Sequence, residues 1–106
     1  MFSQTDEKMN EIVRRIVRVA NPRRIVLFGS RASGTAGPDS DVDLLVIVSG
    51  PVHRRRLAQE IHIQLIGAEY PVDVIVYTEE DVERFRTSVG VILPFALAEG
   101  KEIYAA

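Results

Sequence analysis

The sequence predicts an α/β fold in which a small mixed β-sheet is flanked by helices. Its 106 residues suffice for one domain with one core, so we assign residues 1–106 to a single domain. Short apolar runs rich in β-branched residues alternate with amphipathic segments of helical period. The first run, residues 25–28, is apolar without interruption, which is typical of a strand buried on both faces of a sheet.

The first half of the chain is expected to form one helix and two strands. Apolar residues repeat at helical spacing after Thr5, a candidate N-cap, and the helix ends before Pro22 because a residue preceding proline is pushed out of the α region. Its apolar positions are Met9, Ile12, Val13, Ile16, Val17 and Ala20. The strands are predicted at residues 25–28, closed by Gly29, and at residues 42–48, with a polar loop between them.

The second half contains both kinds of element. In order, we predict a helix at about 52–67, a strand at 72–77, a short acidic helix at 79–85, a helix at about 89–99 and a strand at 101–104. Thr78 caps the acidic helix and Gly100 follows the last one, as helix-end preferences require. The last helical segment is apolar nearly all round, so most of it should cover the sheet, with some excess available for an interface.

Composition excludes several classes of protein. The formal charge is −2, whereas general nucleic-acid binding by counterion release needs a basic face. Without cysteine, neither a disulfide framework nor a thiolate metal site can form, and two histidines are too few for an imidazole-rich zinc site. The charged N-terminal segment is unlike a signal peptide, and no apolar stretch approaches the roughly eighteen residues of a membrane span. We therefore expect a cytoplasmic protein.

Three aspartates form the main candidate site. On a strand, side chains two apart point the same way, so Asp41 and Asp43 should project together and repel each other unless a cation lies between them. The oxygen-only ligand set favours Mg²⁺. Asp73 is the single acidic residue of an apolar strand, where a buried unpaired charge would cost several kcal/mol. If that strand adjoins residues 42–48, the three carboxylates can hold two metal ions. Asp41 alone could equally be a turn residue.

A Gly-Ser turn precedes these carboxylates. Gly29 allows a sharp exit from the first strand, and Ser30 and Arg31 can begin a short helix whose free N–H groups bind phosphate. Arg31 could contact phosphate or be a solvated side chain.

Gly29-Ser30, Asp41-Val42-Asp43 and Val72-Asp73-Val74 together resemble the signature of the polymerase-beta nucleotidyltransferase superfamily. The segment FGSRASGTAGPDSDVDLLV is similar to the corresponding segment of the smallest members of that superfamily, the minimal nucleotidyltransferases (MNT proteins). The resemblance covers essentially the whole chain. It implies the polymerase-beta-like nucleotidyltransferase fold. Many relatives carry a basic residue where this chain has Ser33, and often another near Gly37. Fewer positively charged side chains are therefore available here to bind the triphosphate.

The resemblance also implies a role for each signature residue. Gly29 and Ser30 would hold the triphosphate of ATP, Asp41 and Asp43 would bind two Mg²⁺ ions, and Asp73 would bind the ion next to the acceptor and help to activate its hydroxyl.

The acceptor is implied by the family alone. Minimal nucleotidyltransferases are typically encoded beside a small helical protein of the HEPN class, and the pair resembles a toxin–antitoxin system. In such pairs the nucleotidyltransferase can act as the antitoxin by transferring AMP to a tyrosine of the toxin. We expect the acceptor to be held by such a partner or by a second copy of the chain. Two alternatives are an antitoxin that acts by contact alone, and a homodimeric transferase for a small molecule of the aminoglycoside kind.

Overall fold

The computed structural model describes residues 7–29, 41–85 and 100–106. In these ranges the elements are helices α1 (Glu7–Ala20), α2 (Arg54–Gln64) and α3 (Glu79–Phe85), and strands β1 (Arg24–Phe28), β2 (Val42–Val48), β3 (Val72–Thr78) and β4 (Lys101–Ala105). The predicted N-cap Thr5 and the predicted helix at 89–99 lie outside them. No helix in the described ranges has the length and apolar character needed to cross a membrane.

The four strands form one mixed sheet in the order β3-β2-β1-β4. Strand β1 pairs antiparallel with both β2 and β4, whereas β3 pairs parallel with β2. The parallel pair needs a crossover, and α2 provides it. The predicted α/β fold with a mixed sheet and helices beside it is therefore confirmed.

The sheet separates two apolar clusters. Alternation along β2 sends Val42, Leu44, Val46 and Val48 to the face covered by α1 and α2, where they pack with buried residues such as Ile12, Ile16 and Ile61. The intervening positions belong to the opposite face, whose smaller cluster consists of Val26, Phe28, Leu45 and Ile47, with Ile75, Tyr77 and Val82 against it. Asp43 precedes Leu45 by two residues and so lies on this second face.

Helix α2 is shorter than the sequence pattern suggested. It starts at Arg54 because His53 caps it, the ring Nδ1 accepting a hydrogen bond from the Arg56 backbone N–H at 3.1 Å. It ends at Gln64, and Gly67, with φ +89°, turns the chain towards β3. Histidine is a weak sequence signal for a cap, which is why the predicted start at residue 52 was two residues early.

Helix α3 begins as predicted, with Thr78 as its cap. The Thr78 Oγ1 accepts a hydrogen bond from the Asp81 backbone N–H at 3.1 Å, and the Asp81 carboxylate accepts one from the Thr78 N–H at 3.1 Å. This reciprocal capping box satisfies two N–H groups at the helix start. The pKa of Asp81 is lowered, because hydrogen bonding to Thr78 and the charges of Arg54 and Arg84 outweigh the opposing effect of burial.

Arg15 joins the two helices that cover one face of the sheet. Its guanidinium donates to the carbonyl oxygens of Gln64 at 3.3 Å and Ile66 at 3.2 Å, at the end of α2, and its Nε donates to Glu11 at 3.0 Å. Carbonyls at a helix end lack partners within the helix, so the cation both satisfies them and suits the negative end of the helix dipole.

Candidate active site

Strand direction brings the candidate residues to one edge of the sheet. Because β1 and β2 are antiparallel, the end of β1 meets the start of β2, and Phe28 is the register partner of Asp43. Because β2 and β3 are parallel, their starts coincide, and Asp73 is the register partner of Asp43. Adjacent strands lie about 4.8 Å apart, and register partners point to the same face. Gly29, Asp43 and Asp73 therefore meet on the face opposite α1 and α2.

Asp43 occupies the centre of this group. It is half-buried, next to Phe28, which is 6% exposed, and two residues before the buried Leu45. Burial raises the pKa of the Asp43 carboxyl, and the negative charges of Asp73 and then Asp41 raise it further. No cation of the described chain counteracts this effect. Asp43 is thus a partly desolvated carboxylate beside two others.

The other two aspartates are more accessible than the sequence suggested. Asp73, the second residue of β3, is exposed, and Asp41 is exposed just before β2 begins. The expectation that Asp73 is a buried charge within an apolar strand is wrong. Asp73 lies near the start of β3, at the margin of the sheet face that carries Asp43, and its side chain is exposed there. What singles out Asp73 is its position opposite Asp43, rather than a desolvation cost.

The three carboxylates are not gathered into a preformed metal-binding group. Across residues 7–29, 41–85 and 100–106, no three acidic, histidine or cysteine side chains are placed to hold one ion. The donors nevertheless fit a divalent ion that prefers oxygen, since Asp43 has two acidic neighbours and no basic one in the described chain. The compact three-carboxylate cluster expected from the sequence is absent from these ranges.

Gly29 touches this group directly, a contact that sequence reasoning missed. Its φ is +78°, a left-handed conformation in which glycine is strongly preferred. A Cβ at this position would collide with the Asp43 carboxylate. The residues lie fourteen positions apart, and only the antiparallel register of β1 and β2 reveals the contact. The other predicted phosphate-binding residues, Ser30 and Arg31, lie outside the described ranges.

A cleft at the opposite ends of β2 and β3 differs from the aspartate group, because its arginines are paired with acidic side chains of the same cleft. It has a volume of about 580 Å³ and is lined by residues that include Arg54, Asp81 and Arg84. Arg54 pairs with Asp81 at 3.7 Å and stacks over the Tyr77 ring at 5.1 Å, and Arg84 pairs with Glu80 at 3.0 Å. The arginines of this cleft are therefore already partnered, and the cleft is separated from Asp43 by the length of β2.

Comparisons with known proteins identify the family and the fold of the chain. A family model described as a nucleotidyltransferase domain matches residues 6–98. No curated protein matches the chain. Among solved structures, a toxin-antitoxin with AMP-PNP is 22% identical, with a TM-score of 0.57 over 91% of this chain and 73% of that one.

Two further solved structures have the same fold. A candidate nucleotidyltransferase from Sulfolobus solfataricus is 21% identical, with a TM-score of 0.64 over 93% of this chain and 78% of that one. A complex of tri-AMPylated Shewanella oneidensis HEPN toxin with MNT antitoxin is 19% identical, with a TM-score of 0.51 over 95% of this chain and 70% of that one.

Proposed function

Because the chain belongs to the nucleotidyltransferase domain family, we propose that it transfers a nucleoside monophosphate, AMP from ATP, to a tyrosine hydroxyl of a partner protein. The partner we propose is a helical toxin of the HEPN class, for which this chain acts as the antitoxin. Two structural relatives support this: one is a toxin-antitoxin with AMP-PNP, and the other pairs an AMPylated HEPN toxin with an MNT antitoxin. The proposed compartment is the cytoplasm.

The observation that carries the proposal is the position of Asp43. It is a half-buried carboxylate with a raised pKa, opposite Asp73 and beside Gly29. A carboxylate in this setting is destabilised unless positive charge comes from outside the described chain. The divalent ions that accompany a nucleoside triphosphate are a source of such charge, and the family of this domain uses nucleoside triphosphates. Asp43 and Asp41 are therefore the residues that would hold the two Mg²⁺ ions.

Each remaining residue has a separate role in this proposal. Asp73 holds the acceptor side of the site and orients the tyrosine hydroxyl, and Gly29 with Ser30 holds the triphosphate through backbone N–H groups. Arg31 adds positive charge beside the phosphates. Mg²⁺, when bound, supplies charge neutralisation for the triphosphate and favours ionisation of the acceptor hydroxyl.

The proposed reaction is a single in-line displacement. The tyrosine oxygen forms a bond to the α-phosphorus as the bond between that phosphorus and the bridging oxygen breaks, so pyrophosphate leaves and the hydroxyl proton passes to Asp73 or to water. Catalysis of this kind depends mainly on orienting the two reactants and on stabilising charge. The carboxylates of β2 and β3 suit that role because two strands of one sheet fix their positions.

The test combines partner capture with a mass measurement. The chain is used to capture its partner from extract of its own cells, ATP and Mg²⁺ are added, and the captured protein is weighed by intact mass spectrometry. The same is done with Asp43→Asn and with Glu102→Gln, a control that removes an exposed carboxylate of β4. We expect a gain of whole AMP units with wild type and Glu102→Gln, and none with Asp43→Asn.

The other outcomes separate the alternatives. If wild type and Asp43→Asn capture and neutralise the partner equally well and its mass does not change, the chain inhibits its partner by contact alone and the transfer hypothesis is wrong. If the chain transfers AMP to a small hydroxylated compound in the absence of any protein acceptor, its substrate is a small molecule and the proposed protein acceptor is wrong.

A further inference from the structure

The space beside Gly29 is filled by one side chain. The three heavy atoms nearest to a Cβ placed there all belong to Asp43: Oδ2, which would overlap it, Cγ at 3.3 Å and Cβ at 3.5 Å. The first two contacts are closer than ordinary van der Waals distances and the third is not. A side chain at position 29 and the carboxylate of Asp43 therefore exclude each other, while the rest of Asp43 could remain in place.

We propose that Gly29 is a positioning residue for the Asp43 carboxylate. The missing side chain leaves the volume in which the carboxylate lies, and so permits a side-chain conformation in which Asp43 lies against Gly29. The consequence for metal and nucleotide rests on the proposed function, whereas the conformation itself rests on the contact alone. Gly29 thereby lets the carboxylate lie next to the turn that we propose to bind the phosphates.

A second demand on Gly29 must be separated from this one. Its φ of +78° would strain any other residue, whatever space is available. Gly67 offers a matched control, because its φ is +89° and a Cβ there would meet no atom within 4 Å. Gly67→Ala therefore introduces the backbone strain without a collision, and Gly29→Ala introduces both.

A double-mutant cycle isolates the collision. Unfolding is measured in metal-free buffer for wild type, Gly29→Ala, Asp43→Ala and the double variant, with Gly67→Ala alongside. Since Asp43→Ala removes the two atoms that crowd position 29, we expect Gly29→Ala to lower Tm more than Gly67→Ala does, and to lower it only as much as Gly67→Ala when residue 43 is alanine. An equal loss of Tm from Gly29→Ala in both backgrounds would overturn the proposal.

The cycle remains decisive if Gly29→Ala fails to fold. Recovery of a cooperative unfolding transition in the double variant would support the collision, and failure of the double variant to fold, when Gly67→Ala and Asp43→Ala each fold, would overturn it.

Metal binding provides an independent measurement. Mn²⁺ affinity without nucleotide, followed by electron paramagnetic resonance, should fall roughly 10- to 100-fold in Gly29→Ala, as for loss of a group that orients a metal ligand. Gly67→Ala should retain wild-type affinity. Unchanged Mn²⁺ affinity in Gly29→Ala would contradict the positioning role. If wild type itself binds no Mn²⁺, the proposed function fails, and the unfolding cycle still decides whether Gly29 positions Asp43.

Discussion

Asp43 lies directly opposite Asp73 in the parallel register of β2 and β3, so two carboxylates face the same side of the sheet on adjacent strands. Most steps of that register join apolar residues, such as Leu44 with Val74, whereas this one joins two acids near the start of both strands. The apolar residues of the two strands pack in the apolar clusters on the two faces of the sheet. The paired acids oppose folding when they are both ionised and no cation is present.

The first prediction is a pH dependence of stability caused by Asp43. Its pKa is raised in the folded protein, so the folded state binds this proton more tightly than the unfolded state does. The free energy of unfolding should therefore fall as pH rises from the ordinary aspartate pKa through the raised one. Asp43→Asn should remove this loss and be more stable than wild type at pH 7 in buffer containing EDTA.

Urea unfolding between pH 4 and pH 8 measures this effect. Asp81→Asn is the control of opposite sign, because the pKa of Asp81 is lowered and its contribution to stability is present above the ordinary aspartate pKa. An Asp43→Asn variant less stable than wild type at pH 7 without metal would show that the ionised carboxylate stabilises the fold.

The second prediction concerns ligand-linked stability. If Asp43 holds Mg²⁺ with a nucleotide, Mg²⁺ plus AMP-PNP should raise Tm of the wild type, and a ligand at 100 times its Kd adds about 2.7 kcal/mol to the free energy of unfolding. Asp43→Asn should lose most of that increase, whereas Glu102→Gln should keep it. Differential scanning fluorimetry over a ligand titration measures both. A full increase in Asp43→Asn would remove Asp43 from the binding site.

The third prediction tests the capping box of α3. Thr78→Ala removes the hydroxyl that accepts from the Asp81 N–H, which should cost about 1 kcal/mol of unfolding free energy. Thr78→Ser keeps the hydroxyl and should cost less. Equilibrium unfolding in urea compares the two. Equal losses would assign the effect to the Thr78 methyl group, which packs near Gly50.

The fourth prediction compares two neighbouring arginines of α1. Both pair with Glu11, but only Arg15 also donates to carbonyls at the end of α2. Arg15→Ala should therefore cost about 1.5 to 3 kcal/mol, as hydrogen bonds made by a charged group typically contribute. Arg14→Ala removes an exposed pair and should cost about 0.5 kcal/mol or less. Similar losses for the two variants, measured by urea unfolding, would show that the contact between helices contributes little.

Local sequence pattern predicted most of the sheet and the pairing of its acids. Apolar runs located β1 and β2, and the spacing of acidic residues anticipated that Asp73 would lie beside Asp43 once β3 adjoined β2. The start of α3 was predictable for the same reason, because Thr78 and the acids after it form a local signal. These features depend on residues close together in sequence or on one simple pairing.

The features that escaped prediction depend on tertiary geometry. Nothing in the sequence near Gly29 indicates that Asp43 will occupy the space beside it, since that requires the antiparallel register of β1 with β2. The exposure of Asp73 was missed because an acid flanked by valines resembles a buried position, although it lies at the start of β3. The contacts of Arg15 with the end of α2 span about fifty residues of sequence.

The alternation of β2 also determines how the activity can be lost during evolution. A deletion of one residue inside β2 would turn Asp43 towards the helices and Leu44 towards the opposite face, so packing and chemistry would fail in the same step. A lineage can therefore become inactive while still folding through substitution of site residues such as Asp43, whereas insertions or deletions in this strand should be eliminated whether or not selection acts on catalysis.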